Sequence, residues 1–180
     1  MNKKVTLLLI LIAVGFISRI IPHYPNFTAM GAVALMGGSL LRKPLEALLV
    51  TISTLFLSDI FINNLIYPSE SFAFFYSGAA YTYGAYALIV FVGYFIKHLN
   101  MKTFAMGSIA SMVLFFAITN FAVWSSGLMY PKTGAGLIAA YAAGIPYALN
   151  DLAATILFGI SIAALYKVAV REQNLQFARV

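Results

Sequence analysis

Positive charge recurs along this chain at a spacing set by long apolar runs. Lys3, Lys4, Arg42, Lys43, Lys97, Lys102, Lys167, Arg171 and Arg179 fall at every second gap between those runs, and only Arg19 and Lys132 fall in the other gaps. Cations gathered on one side in this way orient a multi-spanning membrane protein, because Lys and Arg are retained on the cytoplasmic face. The pattern predicts an all-α polytopic protein, a six-transmembrane-helix bundle forming a single integral membrane domain over residues 1–180, N-in/C-in. The same reading puts Asp59, Glu70, Asp151 and His23 on the outer side.

Composition agrees with that solvent. Of 180 residues, 62% are hydrophobic and 9% charged, against about a quarter charged in soluble domains. A soluble core of this size has no way to hide so much apolar surface. The net charge of +6 is loop charge that orients the chain and meets anionic lipid, so the expected partner is the lipid bilayer and no nucleic acid. Cysteine is absent, which excludes disulfides, thiolate nucleophiles and Cys-based metal sites.

The expected spans are about 5–21, 27–41, 45–62, 78–96, 104–123 and 151–166. Met1, Asn2, Lys3 and Lys4 followed by an apolar stretch resemble a signal peptide, with Ala13, Val14 and Gly15 as a tolerable cleavage site. The stretch continues to Ile21, however, and its loss would leave five spans with the positive loops in conflict. Span 2 is short, which predicts either burial within the bundle or entry by a non-helical outer segment, and its small residues (Ala29, Gly31, Ala32, Ala34, Gly37, Gly38) predict close helix contact. Arg42, Lys43 and Pro44 read as a tight inner turn with Pro in the first helical turn. Residues 133–149 are uncharged and contain Pro146; a seventh span there would move the C-terminal cations outside, so the segment reads as an outer short or re-entrant helix.

Catalytic and nucleotide motifs are missing: there is no GxxxxGK[ST], HExxH or GxSxG. No enzyme activity, cofactor or metal is expected, and the two histidines, His23 and His98, fall on opposite sides. What remains is a polar cluster at the outer helix ends: Arg19, Asp59, Asn120, Asn150 and Asp151. Ionisable groups at membrane depth are costly unless paired or facing a wet cavity. Arg19 therefore either locks the bundle by pairing with Asp59 or Asp151, or lines a solute pocket with them, and the two roles are compatible. Asn26 and Thr28 fit an N-cap for span 2 after Pro25, and His23 between two prolines fits an interfacial position. Tyr76, Tyr81, Tyr130, Tyr141, Tyr147 and Trp124 all map to the outer side, whereas an interfacial aromatic belt decorates both sides. This asymmetry favours an aromatic-lined outer pocket for a flat organic ring.

Arg19, Pro22, His23, Tyr24, Pro25, Asn26, Phe27 and Thr28, then Gly31, Ala32, Gly37 and Gly38, then Ser58 and Asp59, then the run from Val123 and Trp124 to Tyr130 and Pro131 resemble a bacterial membrane family described only as candidate transport proteins. More distantly, the layout is similar to the substrate-binding S components of energy-coupling-factor (ECF) vitamin transporters, with Tyr141, Gly144, Ile145, Pro146, Tyr147, Asn150 and Asp151 resembling the loop before their last helix. The solitary cobalamin-transporter type is the most similar variety. The resemblance implies a multi-pass protein of the bacterial inner (cytoplasmic) membrane that takes up a vitamin-like small-molecule substrate from the extracytoplasmic side, alone or with an ECF-type transmembrane subunit and ATPases. The expected substrate-binding residues are Arg19, His23, Asn26, Asp59, Asn120, Trp124, Tyr130, Tyr147, Asn150 and Asp151. Two departures stand out. Ala13 is followed four residues later by Ile17, where S components that share an energising module carry a second Ala, and the absence of Cys excludes cobalt–thiolate chemistry. The alternative is a structural or assembly subunit of a membrane complex with no solute of its own.

Overall fold

The structure, a computed structural model, describes residues 3–68, 71–96 and 98–177, with side chains through Val170. Glu70, Lys97 and Arg179 lie outside the described residues, as does the side chain of Arg171. Six helices follow in chain order: α1 (Lys3–Ile20), α2 (Met30–Leu41), α3 (Pro44–Phe61), α4 (Ala79–Phe95), α5 (Met101–Ser126) and α6 (Gly134–Phe177). A π-helical turn, Ile62–Ile66, continues α3. No strand occurs among the described residues.

Local chemistry sets several of the boundaries. Arg42 closes α2 in the left-handed region (φ 56°), and extended Lys43 leads into Pro44 at the first turn of α3, where a missing N–H costs nothing. This is the tight turn expected from the sequence. At the start of α5 the Thr103 N–H donates to Asn100 Oδ1 (3.0 Å) while the Asn100 N–H donates to Thr103 Oγ1 (3.0 Å), a reciprocal cap that satisfies two orphan donors. Gly127 ends α5 at φ 70°, the left-handed exit that glycine adopts without a Cβ penalty. At α2, the N-cap expected from Asn26 and Thr28 is supplied by another helix. Ser18 Oγ of α1 accepts from the Ala29 N–H at 2.9 Å, and Ala29 itself makes no side-chain cap.

The core is organised around α2. From Met30 to Ser39 every residue is buried, so the short, small-residue segment is the centre of the bundle, as expected. Its most extensive partner is α4. Gly38 lies against the Val90 carbonyl and Gly93 against the Leu35 carbonyl, each too close for any Cβ. Small residues let two helix backbones touch in this way. Leu11, Met30, Leu35, Leu55, Ile89 and Ile162 fill the remaining interior.

Among the described residues, three segments are long and apolar enough to cross a membrane: Pro44–Ile66, Met101–Ser126 and Gly134–Val170. Their outward faces carry Leu49, Leu57, Ile109, Val113, Leu157 and Ile160, all exposed, as suits lipid contact. α2 and α4 are apolar but shorter; the 12 residues of α2 rise about 18 Å against a hydrocarbon core of about 30 Å. The molecule is a membrane-compatible helical protein.

Residues 133–149 are not a separate outer element. α6 runs unbroken through Pro146, 44 residues in all. Proline removes a single intrahelical hydrogen bond, and nothing around residue 150 supplies a stop. Asn150 turns its amide to the 22–26 loop, donating to the Pro25 carbonyl at 3.0 Å, and Asp151 sits mid-helix instead of opening a span.

The two ends of the bundle differ in charge. Lys3, Lys4, Arg42, Lys43 and Lys102 occupy helix ends that chain order places together, and there Glu46 Oε2 meets Lys4 Nζ at 2.6 Å, tying α3 to α1. The opposite end holds Arg19, Asp59 and the loops that follow α1, α3 and α5.

Candidate functional site

A cavity of about 800 Å³ opens at the end opposite the cationic one, within the usual range for small-molecule sites. Helix α1 and its following loop supply Arg19, Ile21, His23, Pro25 and Asn26. The π-helical turn supplies Ile62 and Ile66, and α4 with its preceding loop supplies Tyr67, Tyr76, Thr82 and Tyr86. From α5 and the turn after it come Phe115, Thr119, Asn120, Val123, Met129 and Tyr130; from α6 come Ala140, Ala143, Gly144 and Tyr147.

Arg19 is the polar centre of one wall. Its Nη2 donates to Asp59 Oδ1 (2.6 Å), and its Nη1 donates to Ser58 Oγ (2.7 Å) and the Leu55 carbonyl (3.2 Å). Tyr83 OH donates to the other carboxylate oxygen, Asp59 Oδ2, at 2.7 Å. Asp59 is 1% exposed, and the set joins α1, α3 and α4. Of the two partners the sequence allowed for Arg19, the structure selects Asp59. A guanidinium and a carboxylate out of water are stable only when such hydrogen bonds repay their desolvation.

The loops are fastened by backbone-directed side chains. Asn26 adopts φ 60°, and the Phe27 N–H donates to the Tyr24 carbonyl at 2.9 Å across that turn. Asn tolerates the left-handed region, whereas a β-branched residue does not. Asn26→Val is therefore expected to destabilise the protein by about 1–2 kcal/mol while Asn26→Gly stays near neutral, read as detergent-solubilised melting temperatures; equal melting of the two variants would refute the strain argument. Asn64 fixes the loop over the opposite rim. Its Nδ2 donates to the Ala73 carbonyl (2.9 Å) and its Oδ1 accepts from the Ala73 N–H (2.8 Å). Tyr76 on that loop pairs with Thr82, and burial raises its hydroxyl pKa above the ordinary value, so it faces the cavity as a neutral donor.

Of the ten residues expected from the sequence, six line the cavity: Arg19, His23, Asn26, Asn120, Tyr130 and Tyr147. Asn120 packs its amide over Gly144, leaving no space for a Cβ there. The other four stand behind the wall. Asp59 holds Arg19, and Asn150 holds the Pro25 loop. Asp151, 3% exposed, lies one helical turn below Tyr147 and is a neighbour of Tyr86. Trp124 donates from Nε1 to the Thr133 carbonyl (3.2 Å) and packs on Phe121 (5.5 Å between centroids), bracing the α5–α6 turn. Its neighbour Val123 faces the cavity instead, one step of about 100° round the helix. Tyr141 likewise bonds the Ala117 carbonyl (2.6 Å), and Tyr81 is outside the lining.

Sequence reasoning missed Tyr67, Tyr86, Thr82, Thr119 and Phe115 as lining residues, along with the Tyr83–Asp59 bond. For Tyr83 and Tyr86 the spacing of three residues, one helix face, was the signal available. A second, apolar cleft of about 820 Å³ runs between α1 and α6, lined by Val14, Ile17, Phe27, Phe158 and Leu165, and the Pro22–His23–Pro25 loop separates it from the first cavity.

Fold and site together define a membrane-compatible helical bundle with an aromatic cavity at the end opposite Lys4, Arg42, Lys43 and Lys102. The chain belongs to a family described as Family of unknown function (DUF6580), which matches residues 1–177. No curated protein and no solved structure matches it.

Proposed function

We propose that the protein captures a small organic micronutrient, vitamin-like in size, on the extracytoplasmic side of the bacterial inner membrane. In this reading the helices form six spans with both termini inside, and the cavity opens outward. The observation that carries it is the cavity itself: about 800 Å³ of space, walled by tyrosines, with its one guanidinium already neutralised by Asp59. A site that binds and releases an organic ring needs aromatic faces and a few fixed polar groups, and no catalytic constellation. The likeness to ECF S components rests on the sequence motifs, and it supplies the idea of an ATPase-bearing partner for inward release.

The test is native mass spectrometry on gently purified protein. One co-purifying organic molecule is expected, with occupancy falling at least about tenfold in Tyr147→Ala, the loss of one aromatic face. An empty protein that retains other membrane subunits instead would replace this reading with that of a structural subunit.

A further inference from the structure

Asp151 has a property that no other acid in the described chain shares. It is 3% exposed, it lies within one of the segments apolar enough to span a membrane, and it has neither an ion pair nor a hydrogen bond among the described residues. Asp59, equally buried, is fully engaged by Arg19 and Tyr83. A native structure rarely strands a carboxyl group in its interior, and where it does the group has a use.

Its surroundings say what use. Tyr147, one turn earlier on α6, lines the cavity, and so does Tyr86, a neighbour of Asp151. The carboxyl group therefore stands just behind the cavity wall, on the α6 face that carries Ala140, Ala143, Gly144 and Tyr147. The two basic side chains in the wall are Arg19, cancelled by Asp59, and His23 in the loop after α1. No acid lines the wall, so the one acidic group beside the site without a basic partner is Asp151. The cavity wall carries the rings of Tyr67, Tyr76, Tyr86, Tyr130, Tyr147 and Phe115. Ring faces are electron-rich and attract cations, most strongly out of water. An unpartnered buried carboxyl group behind a ring-lined chamber is complementary to an organic cation, whose approach favours its ionised form, and offers nothing to an organic anion.

We infer that the solute is a small organic cation, an ammonium or protonated nitrogen heterocycle, with Asp151 as the counter-charge and the tyrosine rings as its walls. This inference rests on the solute-capture reading and adds the chemical class of the ligand. Arg19 is structural in charge terms, and Asp151 sets specificity.

Isothermal titration calorimetry of the detergent-solubilised full chain with benzylammonium, benzyl alcohol and benzoate tests it with one ring and three charges. Benzylammonium is expected to bind at least about tenfold tighter than benzyl alcohol, with benzoate weakest. In Asp151→Asn that preference should fall below about twofold while the melting temperature holds or rises, since the unpaired buried acid is gone. If the variant fails to fold, the wild-type ranking decides alone. Equal or tighter binding of benzyl alcohol or benzoate overturns the cation assignment and leaves solute capture standing. Absence of binding by all three also overturns the cation assignment, and a protein that in addition carries no co-purifying molecule loses the capture reading as well.

Discussion

Arg19→Ala is expected to cost about 3–5 kcal/mol of folding free energy, because it abandons a carboxylate that is 1% exposed with only Tyr83 to satisfy it. Asp59→Ala should cost a similar amount by stranding the guanidinium, whose remaining partners, Ser58 Oγ and the Leu55 carbonyl, carry no charge. The double variant Arg19→Met/Asp59→Leu removes both charges and should recover most of the loss, since apolar residues of similar volume often replace a buried ion pair at little cost. Unfolding in mixed micelles measures all three. Additive losses in the double variant would show that the pair is not coupled. The double variant also separates folding from binding. Arg19 borders the cavity and Asp59 does not, so a well-folded double variant that binds no solute assigns a contact to the outward edge of Arg19, and one that binds normally confines the pair to holding α1, α3 and α4 together.

The ends of this bundle are legible in the sequence because apolar runs and charged gaps obey a solvent rule that needs no tertiary knowledge. Burial of α2 is legible for a related reason: a 12-residue apolar run dense in Gly and Ala has nowhere to go but against other helices. Partnerships across the chain are another matter. Arg19 has two acids at the right depth, and only the packing of α1 against α3 rejects Asp151. Ser18 caps a helix eleven residues on, a bond set by how α1 and α2 cross. Trp124 and Val123 are adjacent, and about 100° of helix phase decides which one sees the cavity. Pro146 among alanines and glycines looks like a break, yet a single lost hydrogen bond does not end a helix whose neighbours keep it packed. The π-helical turn at Ile62–Ile66, which puts Ile62 and Ile66 into the lining, has no residue signature at all. Such turns often occur at functional sites, and here it lies directly beneath the loop pinned by Asn64.

A single methyl group at Gly38 should be among the most damaging small changes in the molecule. Its Cβ would meet the Val90 carbonyl and stand 2.9 Å from the Tyr94 nitrogen; a Cβ on Gly93 would meet the Leu35 carbonyl and lie 3.2 Å from the Leu35 Cα. These neighbours are backbone atoms of a regular helix and have no rotamer to yield. Gly38→Ala or Gly93→Ala must therefore push α2 and α4 apart, at about 1–3 kcal/mol or more of overpacking strain. Gly37 is the control: there a Cβ would sit 3.8 Å from Ala47 Cβ, ordinary contact, and Gly37→Ala should gain up to about 1 kcal/mol from helix propensity. Melting temperatures in one detergent compare the three, and a Gly38→Ala protein as stable as Gly37→Ala would refute the close approach of α2 and α4. The double variant Gly38→Ala/Gly93→Ala should lose less than the sum, because a gap forced open by one methyl accommodates the other. The effect should also reach the cavity. Thr28 leads into α2 and Tyr86 stands on α4, both in the lining, so separating the two helices displaces one edge of the floor relative to the other. Solute occupancy in Gly38→Ala should thus fall even at temperatures where the protein remains folded.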